Sequence, residues 1–147
     1  LISNGYAAMG IALPGGIAAK LVHPKRNVVV VAGDGGFLMT ASELETAKRL
    51  GLGIVIIVWV DNSYGLIEWK QKERFGNAFG VYFKNPDFVK YAESFGIKGF
   101  RVSNAREFLP LLRQSLGSKE PVLIEIPIDY SENLKLTEKL GHIICPI

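Results

Sequence analysis

A single cysteine, Cys145, stands among the 147 residues. No internal disulfide can form, and the chain fits a reducing, cytoplasmic setting. There is no C-x-x-C pair and no histidine cluster, only His23 and His142, both read as structural or solvent-facing, so a zinc site is not expected. A strong excess of either charge sign is also missing. The 17 basic residues are nearly balanced by 14 acidic ones, for a net charge of +3, and the signs are interleaved, as in "KQKER" (Lys70–Arg74) and "LTEKL" (Leu136–Leu140). That pattern is a solvated surface, not a nucleic-acid patch. Residues 1–19, "LISNGYAAMGIALPGGIAA", carry no charge at all. They still lack the marks of a membrane span or signal peptide: no basic segment precedes them, and Ser3, Asn4 and Pro14-Gly15-Gly16 interrupt the apolar character. A small-residue helix packed tightly against neighbours is expected instead. The sequence has no initiator methionine and begins as if in mid-domain, which points to a piece of a longer polypeptide. It has no repeats and no low-complexity linker.

What is present is an ordinary globular composition, 48% hydrophobic and 21% charged, with strands and helices in alternation. A helix is expected over Tyr6–Val22, then a strand over Asn27–Ala32 ending in a Gly-Asp-Gly loop. Thr40–Leu50 reads as a helix opened by a Thr40/Glu43 capping box, with Leu44, Ala47 and Leu50 on one face. Ile54–Val60 is a β-branched apolar strand, followed by the loop Asp61–Gly65 and a short helix over Leu66–Arg74. Asn85–Gly96 reads as a helix starting after Pro86, Gly99–Val102 as a short strand, Asn104–Gly117 as a helix and Pro121–Ile128 as the last strand. Alternation of this kind implies parallel pairing, and strands apolar on both faces imply helices on both sides. The expected fold is α/β: a doubly wound, mostly parallel sheet over residues 1–129, with its helix layers complete and a tail over 130–147.

On such sheets ligands bind at the carboxyl ends of the strands. Two strands here end in polar loops, Gly33-Asp34-Gly35 and Asp61-Asn62-Ser63-Tyr64. A dinucleotide site is a poor match, because Leu38 occupies the place of the third glycine and Asp34 would repel a diphosphate by roughly 4 kcal/mol per charge pair at an effective dielectric of 20. A divalent cation removes the objection. Mg²⁺ takes hard oxygen ligands and often bridges a carboxylate to phosphate oxygens. Asp34 would then hold the ion, the amides of Gly35 and Gly36 could approach the phosphate, and the second loop could add the Asn62 side chain and a backbone carbonyl near Tyr64. On this reading Asp34 serves the metal, and replacing it by alanine would spare the fold.

"GDG", then twenty-six residues, then Asn62 resembles the fingerprint of the thiamine-diphosphate enzymes, with Asp61 where that family usually has asparagine. "WVDN" (Trp59–Asn62), "YAESFG" (Tyr91–Gly96) and "IPIDYSEN" (Ile126–Asn133) resemble acetolactate synthases of the catabolic type. The resemblance spans nearly the whole chain, as the C-terminal cofactor-binding domain of a longer enzyme. It implies that Asp34, Asn62 and the Tyr64 carbonyl ligate Mg²⁺, and that Gly33, Gly35 and Gly36 line the diphosphate. It also implies that Met9 supports the bent cofactor, that the Ala7 carbonyl accepts from the aminopyrimidine, and that Gly65 and Leu66, with Ile67 beyond them, border the pocket. Trp69 does not match the biosynthetic spacing and is not made a substrate-selecting residue.

The reaction implied is condensation of two pyruvate molecules to 2-acetolactate with loss of CO₂. The resemblance places the required glutamate in the N-terminal domain of a partner subunit, so no catalytic residue is expected in this chain; Glu43, Glu45 and Glu68 read as helix-surface residues. The implied partners are pyruvate, the protein's own N-terminal domains and a second copy in a homo-oligomer, with neither nucleic acid nor membrane. FAD stays open for the intact enzyme, in a domain outside this chain. Two alternatives stand beside this: the cofactor half of another thiamine-diphosphate-dependent oxo-acid decarboxylase, and a non-catalytic module of the same fold. The tail is expected to dock on its own or a neighbouring subunit, and Cys145 to be inert.

Overall fold

The computed structural model describes residues 5–130. Within them lie α1 (Ala12–Val22), β1 (Val28–Gly33), α2 (Asp34–Leu38), α3 (Glu43–Arg49), β2 (Ile54–Val60), α4 (Gly65–Phe75), α5 (Phe88–Ser94), β3 (Lys98–Arg101), α6 (Ala105–Leu116) and β4 (Val122–Pro127). All pairings are parallel, and the strand order is β1-β2-β4-β3. The expected α/β class and parallel sheet are what the structure has. The tail beyond Tyr130, with His142 and Cys145, lies outside the described residues.

The strands alternate between two cores. One face carries Val30, Ile54, Ile56, Val58 and Leu123, packed against Leu13 and Ile17 of α1, Phe37 of α2, Leu44 and Ala47 of α3, and Phe88 and Ala92 of α5. The other carries Val55, Ile57, Val122 and Ile124 under Phe108, Leu111, Leu112 and Leu116 of α6. The spacing of those four residues is the apolar stripe of an amphipathic helix. Gly16 shows how closely α1 lies on the sheet: a Cβ there would come within 2.1 Å of Val30 Cγ2. This is the tight small-residue packing that the uncharged segment suggested. Arg101 pins β3 to its surroundings, with Nε and Nη2 donating to Glu125 at 2.8 and 3.0 Å and Nη2 lying 3.2 Å from Asp87.

Several expectations need correction. The first helix begins at Ala12, not Tyr6, and Pro14 sits in its first turn, where the missing N–H costs nothing. The Thr40/Glu43 capping box does not form: Thr40 Oγ1 donates instead to the Gly10 carbonyl at 2.8 Å, and α3 starts only at Glu43. Leu50 ends up exposed rather than beside Leu44 and Ala47. The helix expected over Asn85–Gly96 is the shorter α5, whose cap is Asp87, accepting from Lys90 N at 3.1 Å. The Gly-Asp-Gly loop is no loop, since Gly33 ends β1 and Asp34 opens α2. The two helix layers are also unequal. On the α6 side, Val29 and Val31 of β1 stay 42% and 45% exposed, so among the described residues the second layer does not reach the β1 edge.

Candidate functional site

The site forms at the carboxyl ends of β1 and β2, which run side by side in register, Gly33 opposite Trp59. Asp34 follows β1 immediately and is 1% exposed. Its carboxylate is satisfied in a specific way. Oδ1 accepts from Gly35 N at 2.8 Å. Oδ2 accepts from Asn62 N at 2.8 Å, Asp61 N at 3.2 Å and Asn85 Nδ2 at 2.6 Å. Asp34 thus joins three segments of the chain, so its replacement by alanine carries a stability cost that the sequence did not reveal. A buried donor left without its acceptor costs ~1–3 kcal/mol.

The second loop is bent to present side chains inward. Asn62 has φ 61°, a left-handed conformation that asparagine tolerates better than most residues. Its Oδ1 accepts from Asn85 Nδ2 at 3.0 Å. Asp61 is held by Ser63, whose N–H and Oγ donate to it at 3.2 Å each. Burial pushes the Asp61 carboxyl above the ordinary range; Ser63 opposes that shift and the charge of Asp34 adds to it. The Tyr64 carbonyl accepts from Glu68 N at 2.9 Å as α4 begins, which leaves it one lone pair. Gly65 lies against Asp61, where a Cβ would meet Oδ2 at 2.8 Å. Leu66 and Ile67 are exposed on α4.

Gly35 and Gly36 differ. A Cβ on Gly35 would sit 2.7 Å from the Tyr64 ring, and that ring packs on Phe83 with centroids 4.8 Å apart. Gly35 is therefore required by an aromatic neighbour, and its N–H is already used by Asp34. Gly35→Ala should displace the Tyr64 ring and cost about 1–3 kcal/mol, the usual penalty for overpacking, read as a drop in urea midpoint. A Cβ on Gly36 would make only ordinary contact, with Gly10 N at 3.9 Å, and at Gly33 nothing would lie within 4 Å. The Gly10 segment is fastened by the Thr40 hydrogen bond, so it belongs to the same end of the sheet as Asp34. Within it Ala7 has φ 48°, and Met9 and Tyr6 are exposed.

Two residues escaped the sequence reading. Asp61 stood out only as a departure from asparagine, yet its carboxyl faces Asp34. Asn85 was absorbed into a helix start. It reaches the site because residues 81–83 pair with the second loop: Tyr64 N donates to the Val81 carbonyl at 2.9 Å and Phe83 N to the Asn62 carbonyl at 3.1 Å. The available signal was Asn-Pro, since a residue before proline is biased to extended backbone and away from the helix.

Residues 1–126 match the family described as thiamine pyrophosphate enzyme, C-terminal TPP binding domain. The chain belongs to the thiamine pyrophosphate enzymes. It is 48% identical over 136 residues to the acetolactate synthase of Bacillus subtilis (strain 168), covering 92% of this chain and 24% of that protein. It is 45% identical over 140 residues to the catabolic acetolactate synthase of Raoultella terrigena, covering 95% of this chain and 25% of that protein. Among solved structures it resembles the thiamine diphosphate-dependent 4-hydroxybenzoylformate decarboxylase of Rhodococcus jostii RHA1, with TM-score 0.80 and 29% identity over 86% of this chain and 24% of that one. This thiamine pyrophosphate domain thus spans about a quarter of the length of the relatives it matches. No helix among the described residues is long and apolar enough to cross a membrane.

Proposed function

We propose that this domain holds the diphosphate and Mg²⁺ end of thiamine diphosphate in an acetolactate synthase, which condenses two pyruvate molecules to 2-acetolactate with release of CO₂. One observation carries the reading. The Asp34 carboxylate and the Asn62 amide oxygen, from adjacent strand ends, both point at one position that a hydrogen-bond donor fills, Asn85 Nδ2 at 2.6 and 3.0 Å. Converging hard oxygens with a second carboxyl, Asp61, beside them fit a divalent cation. The missing side chains at Gly33 and Gly36 suit the close approach of a phosphate to the backbone, and the identity to acetolactate synthases supports the substrate.

On this reading Asp34 and Asn62 give side-chain oxygens to Mg²⁺ and Tyr64 the free lone pair of its carbonyl. Gly36 contributes the amide toward the diphosphate, while Gly33 and Gly35 line its approach. Ala7 and Met9 border the cofactor's rings, and Gly65 and Leu66 the pocket edge. The cofactor, once bound, supplies the carbanion chemistry at the keto carbon; this domain binds and orients it. The catalytic glutamate and the rest of the pocket come from N-terminal domains elsewhere in a longer, cytoplasmic polypeptide that works as a homo-oligomer. FAD, if carried, belongs to those other domains.

Calorimetric titration of the intact protein with thiamine diphosphate tests the reading. Binding is expected only with a divalent cation, and Asn62→Ala should weaken it by at least the ~10–100-fold that loss of an outer-shell partner costs at a metal site. Cation-independent binding, or unchanged affinity in Asn62→Ala, would overturn the metal assignment. Product analysis with pyruvate addresses the second reading, to which the decarboxylase likeness lends weight: acetolactate favours the synthase, and free acetaldehyde the decarboxylase.

A further inference from the structure

Asn85 belongs to neither strand end, yet its amide nitrogen bridges the two candidate ligands, Asp34 Oδ2 at 2.6 Å and Asn62 Oδ1 at 3.0 Å. Its own Oδ1 is buried without a hydrogen-bond partner. An amide has two faces of opposite polarity and nearly the same shape. With nitrogen inward, the NH₂ relieves repulsion between two oxygens, at the cost of stranding Oδ1. With oxygen inward, three oxygens would converge with no donor between them. That arrangement is unfavourable in an empty site and favourable around a cation. Oxygens on adjacent vertices of a Mg²⁺ octahedron, with ligands at ~2.0–2.1 Å, lie roughly 2.9 Å apart, close to the two separations seen here.

We propose that Asn85 is a two-position clamp for the cation. Its amide can meet the Asp34 and Asn62 oxygens with either end: the nitrogen ties them together, and Oδ1 turned inward would give a bound ion a further oxygen. Asn85 is thus a positioning residue for the metal half of the site, and the inference rests on the cation reading given above. The location of Asn85 suits the role. It sits in the segment that the Ser63–Tyr82 bridge and the Phe83–Asn62 hydrogen bond fasten to the second loop, which holds its backbone beside both candidate ligands.

The test uses the intact protein, with Mn²⁺ as the probe ion, thiamine diphosphate present, and free Mn²⁺ read by electron paramagnetic resonance. Asn85→Ala should raise the Mn²⁺ dissociation constant about 10-fold or more. Asn85→Asp supplies the inward oxygen permanently and with charge. It should bind Mn²⁺ more tightly than wild type, and its metal-free form should melt below wild type because three carboxyl groups then face one another. A role confined to packing would lower the melting temperature in both variants and move Mn²⁺ affinity in neither. Wild-type affinity in both variants would overturn the clamp and leave the cation site standing. Failure of the wild-type protein to bind Mn²⁺ would overturn both.

Discussion

Asp34→Asn should abolish cation-dependent binding of thiamine diphosphate by the intact protein while the domain still folds. The substitution keeps one oxygen where Oδ2 now accepts from Asp61 N, Asn62 N and Asn85 Nδ2, so those donors stay paired. It removes the charge that would bind the ion. Without the ion, a diphosphate arriving beside the remaining carboxyl of Asp61 meets repulsion of about 4 kcal/mol per charge pair at an effective dielectric of 20, equivalent to a loss of roughly 100-fold or more in affinity. Asp34→Ala would mix that effect with lost stability, because it strips four hydrogen bonds from a residue that is 1% exposed. Calorimetry for binding and circular dichroism for folding separate the two. Undiminished affinity in Asp34→Asn would remove the cation from the proposed site.

The 147-residue chain by itself, given thiamine diphosphate, Mg²⁺ and pyruvate, should form no acetolactate. On the proposed reading the glutamate against the cofactor's pyrimidine comes from another domain, and most glutamates among the described residues are otherwise engaged. Glu45 pairs with Arg49, Glu73 with Lys70 and Glu120 with Lys48. Glu125 is held by the Arg101 guanidinium. Glu68 accepts from Lys72 and from the Tyr82 hydroxyl, and Lys72 keeps its carboxyl below the usual range, so it is ionised at neutral pH. Loss of a general acid costs ~10²–10⁴-fold, and an open pocket adds the loss of cofactor burial. An acetoin assay after acid treatment reads the outcome. Turnover by the chain alone would place the acid within it. Asp61, the carboxyl that burial and Asp34 push upward, would then be the first to replace.

The parts of this protein legible in its sequence are those fixed by local chemistry. β2 runs from Ile54 to Val60 as expected, because seven consecutive apolar, largely β-branched residues between a glycine and Asp61 have few other uses. Asp34 stood out because a carboxylate between glycines at a strand end needs a partner. What failed was decided at long range. Thr40 had the right spacing to cap a helix but found a better acceptor thirty residues away, at Gly10. The start of α1 was misplaced because a Gly- and Ala-rich run has no polar side to mark its phase. Asn85 was placed at a helix start although Asn-Pro argued for extended backbone, and its arrival at the site depends on a pairing between two loops that no local pattern encodes. The uneven second layer was hidden for a similar reason: β1 is as apolar as β2, and only the course of α6 distinguishes a covered face from a bare one.

The strand order also dictates when the domain can come into being. Among the described strands β4 is synthesised last, yet it lies between β2 and β3. Until Val122–Pro127 has left the ribosome, β1 and β2 can pair with each other, but β3 has no strand beside it and the α6 core has only Val55 and Ile57 of β2 as its floor. The sheet is completed by insertion, not by addition at an edge, and such non-local parallel pairing is intrinsically slow. A ribosome stalled before residue 122 would therefore display two separate apolar pieces, not a shortened domain. During that interval the nascent chain is at its most exposed to chaperones and to aggregation.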